Sequence, residues 1–145
     1  MKADYVIVGG GSAGCVLANR LSEDPGNQVL LIEAGGKDWN PLIHIPAGYM
    51  KLLDHPTLTW GFKADRNSGL NGREINYPRG RVLGGSSSIN GMIYIRSQPE
   101  DYDHWSQLGN RGWSSADVLP YFNKSEKWQG PDKAAHSKEG LLYTS

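Results

Sequence analysis

The sequence predicts an α/β fold that opens with a βαβ unit, on three observations: two strand-sized apolar runs, a glycine turn after the first, and helical spacing between them. Tyr5-Val6-Ile7-Val8 is short, continuous and stopped by glycines, the pattern of a strand buried on both faces of a parallel sheet. Ala13, Val16, Leu17 and Leu21 then recur at three- and four-residue spacing until Asp24-Pro25-Gly26, which gives a helix of about three turns. Val29-Leu30-Leu31-Ile32 reads as a second buried strand, joined to the first by a right-handed crossover and ended by Ala34-Gly35-Gly36.

From Lys37 to Arg73 no period lasts, so irregular connections are expected, with one short helix near Tyr49 to Leu53. Ser97-Gln98-Pro99-Glu100 fits a capping box with proline in the first turn, so a helix should follow through Trp105. Ser114 and Asp117 repeat the device, Trp113 is placed to staple onto Val118, and Pro120 should kink or shorten that second helix. After a turn at Gly130-Pro131-Asp132, the stretch Gly140 to Ser145 looks like a strand just begun. The chain therefore reads as the front portion of something larger.

With 145 residues, 38% hydrophobic and 21% charged, the composition is that of one ordinary soluble domain. Lys plus Arg and Asp plus Glu balance at 15 each, so no global field draws the chain to nucleic acid or to an anionic membrane. The single Cys15 excludes an internal disulfide and reads as a small buried thiol. The first strand begins by Asp4 or Tyr5, leaving no room for a cleavable apolar segment, so cytoplasmic residence is the expectation. No apolar run approaches the roughly 20 residues of a spanning helix.

Gly9, Gly11 and Gly14 satisfy GxGxxG between a predicted strand and a predicted helix, the context in which the motif means dinucleotide binding. Gly9 makes the turn, Gly11 leaves space for a pyrophosphate, and Gly14 lets helix and strand close. Ser12 and Ala13 present free helix amides to the phosphates. Glu33, at the end of the second strand, is placed to accept hydrogen bonds from the adenosine ribose, and its charge disfavours a 2′-phosphate. This motif does not separate NAD from FAD. The stretch Arg79-Gly80-Arg81-Val82-Leu83-Gly84-Gly85-Ser86-Ser87-Ser88-Ile89-Asn90-Gly91 can bring backbone donors close to a flat polar ring and to phosphate oxygens, and taken alone it reads equally as a glycine-rich surface loop without a ligand.

Here the chain resembles the glucose–methanol–choline (GMC) oxidoreductase family, whose first signature is similar to GRVLGGSSSINGMIYIR, followed by DYDHW as in its choline-dehydrogenase-like and alcohol-dehydrogenase-like branch. The similarity runs from the Gly9 turn through Glu33-Ala34-Gly35, Asn40-Pro41 and Trp60 to His136 and Gly140; Ser97 stands where glycine is more usual. The resemblance implies the N-terminal part of a Rossmann-like FAD-binding domain with an incomplete sheet. Residues 1–145 would form one segment of a discontinuous domain, without its remainder, the substrate domain or the catalytic C-terminus. By resemblance Glu33 and Ala34 hold the adenosine end and Trp60 lies near the cofactor. Arg81, Val82, Gly84, Gly85 and Ser86 pass along the pyrophosphate and ribityl chain, and Asn90, Gly91, Met92 and Ile93 approach the flavin ring. Some members carry a histidine bonded to FAD where this chain has Ile89, so FAD is expected to be noncovalent.

The reaction implied is hydride transfer from the CH–OH carbon of a small alcohol to flavin N5, with oxygen or a quinone as electron acceptor. The family's catalytic histidine lies beyond this chain, so no catalytic residue is assigned here and the segment alone is expected to be inactive. Two alternatives stay open: a nucleotide-binding module without turnover, and an NAD-dependent reductase built on the same βαβ unit. His44, His55, His104 and His136 lack zinc-ligand spacing. Asp101 and Asp103 suit the start of a helix on dipole grounds alone, and Trp105, Trp113, Tyr121 and Phe122 suit packing. Arg79 and Arg81 suit either phosphate or loop carbonyls.

Overall fold

The computed structural model describes residues 2–131 and 136–144, and these divide into two compact units, Met1–Ile93 and Tyr94–Ser145. The expected turn residue Asp132 and strand end Ser145 lie outside the described residues.

The first unit begins with β1 (Tyr5–Val8), α1 (Ser12–Leu21) and β2 (Val29–Ile32). The strands pair in parallel, Tyr5 opposite Val29 and Val8 opposite Ile32, as the sequence predicts. Asn27 Nδ2 donates to the Leu21 carbonyl at 3.0 Å, covering one of the acceptors left open at the helix C-terminus. The expectation of strands buried on both faces is corrected: in β1 only Ile7 is buried, and Val8 is 84% exposed. Two strands and one helix give one covered face, and a doubly wound sheet needs helices on both. Cys15 is likewise half-buried rather than buried, its thiol 3.3 Å from the Gly10 carbonyl oxygen.

Residues 37–73 are mostly irregular, with 3₁₀ turns at Pro41–His44, Pro46–Gly48 and Ser68–Leu70 and a single helical turn, α2 (Tyr49–Leu52). Asn40 Oδ1 accepts the Leu42 N–H at 3.0 Å, which sets the first of these turns. The sequence reading missed a hairpin, β3 (Lys63–Ala64) with β4 (Ile75–Asn76), in antiparallel register. Its pairing runs on irregularly through Tyr77 N to Phe62 O, Trp60 N to Arg79 O and Arg81 N to Leu58 O, past Pro78, which has no N–H to give. This delivers residues 82–89 to the core, where Val82 and Ile89 pack with Leu52 and Leu58 against Leu42 and Ile43.

The second unit holds α3 (Pro99–Gln107), α4 (Ser115–Ser125), β5 (Glu126–Trp128) and β6 (Leu142–Thr144), the last two paired in parallel. The capping box of α3 is shifted by one residue from the expectation: Gln98 is the N-cap, and its N–H donates to Asp101 Oδ2 at 3.2 Å. Ser114 and Asp117 cap α4 as predicted, and the helix runs on through Pro120 to Ser125. Asp103 Oδ1 accepts the Ser115 N–H at 2.8 Å, tying α3 to the start of α4. Tyr102 lies edge-on to Trp105 and tilted against Phe122, and Trp113 packs on Trp105; Tyr121, expected to pack, is exposed.

Candidate functional site

Each glycine of the turn is required by a different physical cause. Gly9 has φ +102°, a conformation that costs other residues energy. At Gly14 an added Cβ would overlap the Gly9 carbonyl, so only glycine lets α1 close on the turn. Gly11 meets neither condition. Its φ −78° and ψ −172° suit any residue, and an added Cβ would meet only Gly85 Cα at 3.9 Å and Gly84 O at 4.0 Å. Nothing in the protein's own packing asks for glycine there. The open space in front of Gly11 is the kind of cradle that a closely approaching phosphate would fill.

The two glycine-rich stretches are one structure. Gly84 N–H donates to the Gly10 carbonyl at 2.7 Å, and Gly11 and Gly84 form a parallel bridge. On the other side Leu83 N–H donates to the Gly36 carbonyl at 2.8 Å, and Gly36 bridges to Val82. Residues 82–84 thus lie between the loops that follow β1 and β2. A cleft of about 440 Å³ opens beside this seam, with Gly9, Gly11, Ser12 and Ala13 on one wall and Ser86 and Ser87 on the other. The first amides of α1 face it, and unpaired N–H groups at a helix start favour an anion.

Glu33 ties the loops together. Its Oε2 accepts the Gly10 N–H at 2.6 Å and its Oε1 the Gly35 N–H at 2.7 Å. A carboxylate has about four acceptor positions, so these two bonds fix its orientation and leave lone pairs for a further donor. Gly35, beside Ala34, sits so close to the Arg81 backbone that a Cβ would overlap it.

Other candidate residues are set elsewhere. Val82 is fully buried, backbone included, and its carbonyl accepts the Gly85 N–H at 2.7 Å. Trp60 and Arg81 line a separate cavity of about 380 Å³, with the Arg81 guanidinium 5.2 Å from the Trp60 ring centre and Phe62 stacked on Trp60. Arg79 donates to the Pro78 carbonyl and lies over Tyr77. Asn90 folds its side chain over the next residues, with Oδ1 accepting the Met92 N–H at 3.0 Å; Met92 has φ 57° and Ile93 is exposed. Gly85, at φ +60°, would bring a Cβ to 2.9 Å from Gly11 Cα. Ile89, where some family members carry histidine, is only 2% exposed and belongs to the core.

One polar centre escaped the sequence reading. In the second unit, buried Glu126 pairs through Oε2 with Arg96 at 2.7 Å and His136 Nδ1 at 2.8 Å, and through Oε1 accepts the Thr144 hydroxyl at 2.8 Å. Burial pushes the Glu126 carboxyl up, but the hydrogen bonds from His136 and Thr144 and the charges of Arg96 and His136 outweigh it, holding it below the ordinary carboxylate range. His136 also stacks on Trp128. A lone glutamate between Ser125 and Lys127 carries no local sign of burial. Among the described residues no group of three or more His, Cys, Asp or Glu side chains is placed to hold a metal.

The family model described as GMC oxidoreductase matches residues 3–141. The oxygen-dependent choline dehydrogenase of Rhizobium etli is 48% identical over 147 residues, which cover 97% of this chain and 27% of that protein. Among solved structures, pyridoxine 4-oxidase from Mesorbium loti superposes with a TM-score of 0.89 at 40% identity, over 98% of this chain and 28% of that one. An FAD-dependent oxidoreductase from Chaetomium thermophilum gives 0.81 at 35% identity, over 98% and 26%. The chain therefore spans about a quarter of the length of the proteins it matches.

Proposed function

Because the chain belongs to the GMC oxidoreductase family, we propose that it forms the FAD-holding front of an enzyme that oxidises the CH–OH group of a small alcohol. On this reading residues 1–145 are the N-terminal segment of a discontinuous FAD domain, and the rest of that domain, the substrate domain and the catalytic C-terminus belong to other parts of the protein. The observation that carries it is the seam between Gly10 and Gly84 beside an unobstructed Gly11: two backbone cradles, suited to one extended ligand, are hydrogen-bonded to each other.

When bound, FAD supplies the hydride acceptor for the alcohol carbon. The chain's own residues bind and orient. Ser12 and Ala13 would offer their backbone N–H groups at the start of α1 to the pyrophosphate, and Gly9, Gly11 and Gly14 shape the turn that would let it approach. Glu33, already aligned by the Gly10 and Gly35 amides, offers its remaining lone pairs to the ribose hydroxyls, with Ala34 beside it. Gly84, Gly85 and Ser86 would continue along the ligand and the loop Asn90 to Ile93 would serve the ring end, while Arg81 and Trp60 line a separate cavity and Val82 is fully buried. None of these residues is assigned to take the hydroxyl proton.

FAD is held without a covalent bond, because Ile89 has no nucleophile and its side chain turns into the core. An amino alcohol such as choline is the first substrate to test, with oxygen and a quinone as acceptors. No described helix is long and apolar enough to cross a membrane; cytoplasmic residence is part of the proposal. Limited proteolysis with added FAD or NADH tests the assignment. Protection of the first unit by FAD alone is expected; protection by NADH alone would move the chain to the nicotinamide class.

A further inference from the structure

Two Asn-Gly pairs lie in the first unit, Asn71-Gly72 and Asn90-Gly91, and the fold treats them in opposite ways. Such a pair is open to an uncatalysed cyclisation, because glycine has no side chain to shield its own amide nitrogen. Ring closure requires that nitrogen to eclipse the asparagine Cβ and to meet Cγ.

At Asn71 the turn opposes closure. Asn71 is held in the left-handed conformation, φ 52° and ψ 37°, with the Gly72 nitrogen turned away from that eclipse. The Gly72 N–H is committed to the Asn67 carbonyl at 3.0 Å, and the Asn71 N–H to Ser68 O at 3.1 Å. Closing the ring would dismantle the turn.

At Asn90 the arrangement favours it. The side chain is exposed, and its Oδ1 accepts the Met92 N–H at 3.0 Å, which polarises the Cγ carbonyl. The same N–H points at the oxygen that gains negative charge when nitrogen adds to Cγ. Among the described residues the Gly91 N–H has no hydrogen-bond acceptor, and residues 91–98 form neither helix nor strand. An added Cβ at Gly91 would make only ordinary van der Waals contact, 3.5 Å from the Tyr49 ring, so alanine fits there without displacing its neighbours.

We infer that Asn90 is a site of spontaneous deamidation through a succinimide. The Gly91 nitrogen bonds to Asn90 Cγ and gives up its proton to solvent base. The Cγ–Nδ2 bond breaks, and Nδ2 leaves as ammonia after taking up a proton. Water then opens either imide carbonyl, giving aspartate or isoaspartate, with no change in oxidation state. Either product puts a carboxylate in the loop assigned above to the flavin ring, and isoaspartate also lengthens the backbone by one carbon. That consequence rests on the proposed function; the reaction itself does not.

Incubating the chain at mildly alkaline pH and mapping its peptides by mass spectrometry tests the inference. Asn90 should convert about tenfold faster than Asn71, the factor equivalent to the ~1.4 kcal/mol of one retained hydrogen bond. In denaturant the two rates should converge, and Gly91→Ala should suppress the reaction at Asn90 alone. Equal rates in native buffer, or a faster Asn71, would overturn the assignment. Added FAD should slow Asn90. FAD that binds without slowing it would remove the flavin-side placement of the loop and leave the deamidation site standing.

Discussion

Replacing Gly11 by alanine separates the needs of the ligand from the needs of the fold. The backbone at Gly11 already has a conformation open to alanine, and the new methyl would sit 3.9 Å from Gly85 Cα, an ordinary contact. Stiffening the unfolded chain should stabilise by about 0.4–1 kcal/mol. Alanine is a poorer N-cap than glycine by a similar amount, about 0.5–1 kcal/mol. The two cancel, so the variant should melt within a few degrees of the parent, since about 1 kcal/mol shifts the midpoint of a unit this size by ~4–8 °C. On the proposed reading bound FAD meets a different situation, because the methyl would stand where the pyrophosphate approaches. Losing one charge-assisted hydrogen bond there costs about 1.5–3 kcal/mol, a roughly 10- to 150-fold weaker Kd. Flavin fluorescence titration reads the affinity and thermal unfolding reads the fold. Gly14→Ala is the control with the opposite profile, because its Cβ overlaps the Gly9 carbonyl and the fold itself should fail first. An unchanged FAD affinity in Gly11→Ala, or a stability loss matching that of Gly14→Ala, would refute the reasoning.

Glu33→Ala removes the acceptor for both the Gly10 and Gly35 amides, so FAD binding should weaken by about 1–3 kcal/mol and the melting point should fall with it; calorimetry showing full affinity would place the ribose on another group. Glu33→Gln keeps one acceptor oxygen and should fall between the two. In the second unit, Glu126→Ala removes the buried acceptor shared by Arg96, His136 and Thr144 and should cost about 3–5 kcal/mol in denaturant unfolding. Because folding lowers the Glu126 pKa, its stabilisation is present above the unfolded value, about 4.3, and is lost as pH falls through the folded value. Acid unfolding of the parent should therefore show a transition below pH ~4 that Glu126→Gln lacks. Acid precipitation of the flavin-loaded protein should leave the yellow colour in the supernatant; colour retained in the pellet would contradict noncovalent binding.

The front of the fold is legible in the sequence because its signals are local. The apolar runs at Tyr5 and Val29, the three- and four-residue spacing after Gly11, and the Ser114–Asp117 box all fall within one element or its border. The α3 cap slipped by one residue because Ser97 with Glu100 and Gln98 with Asp101 fit the same spacing, and only the backbone distinguishes them. The hairpin of β3 and β4 stayed hidden because each strand is two residues long, with Pro78 and Gly61 in its continuation. Both glycine-rich stretches were visible as motifs, but the bond from Gly84 to Gly10 was not, since pairing between distant loops leaves no periodic trace. Glu126 was missed for a related reason: Arg96, His136 and Thr144 converge on it from separate segments, and none marks the others.

The seam between residues 82–84 and the loops after β1 and β2 has a consequence for the newly made chain. As synthesis proceeds, the first strand, helix and second strand emerge early and have local reasons to form. The wall that completes the cleft proposed for the phosphates cannot be added until Gly84 has left the ribosome and closed a long loop, which is entropically slow. FAD in the cell would then meet a nascent polypeptide able to recognise adenosine diphosphate well before it could retain the whole coenzyme. Flavin uptake by ribosome-bound chains of increasing length should rise sharply once that residue is free.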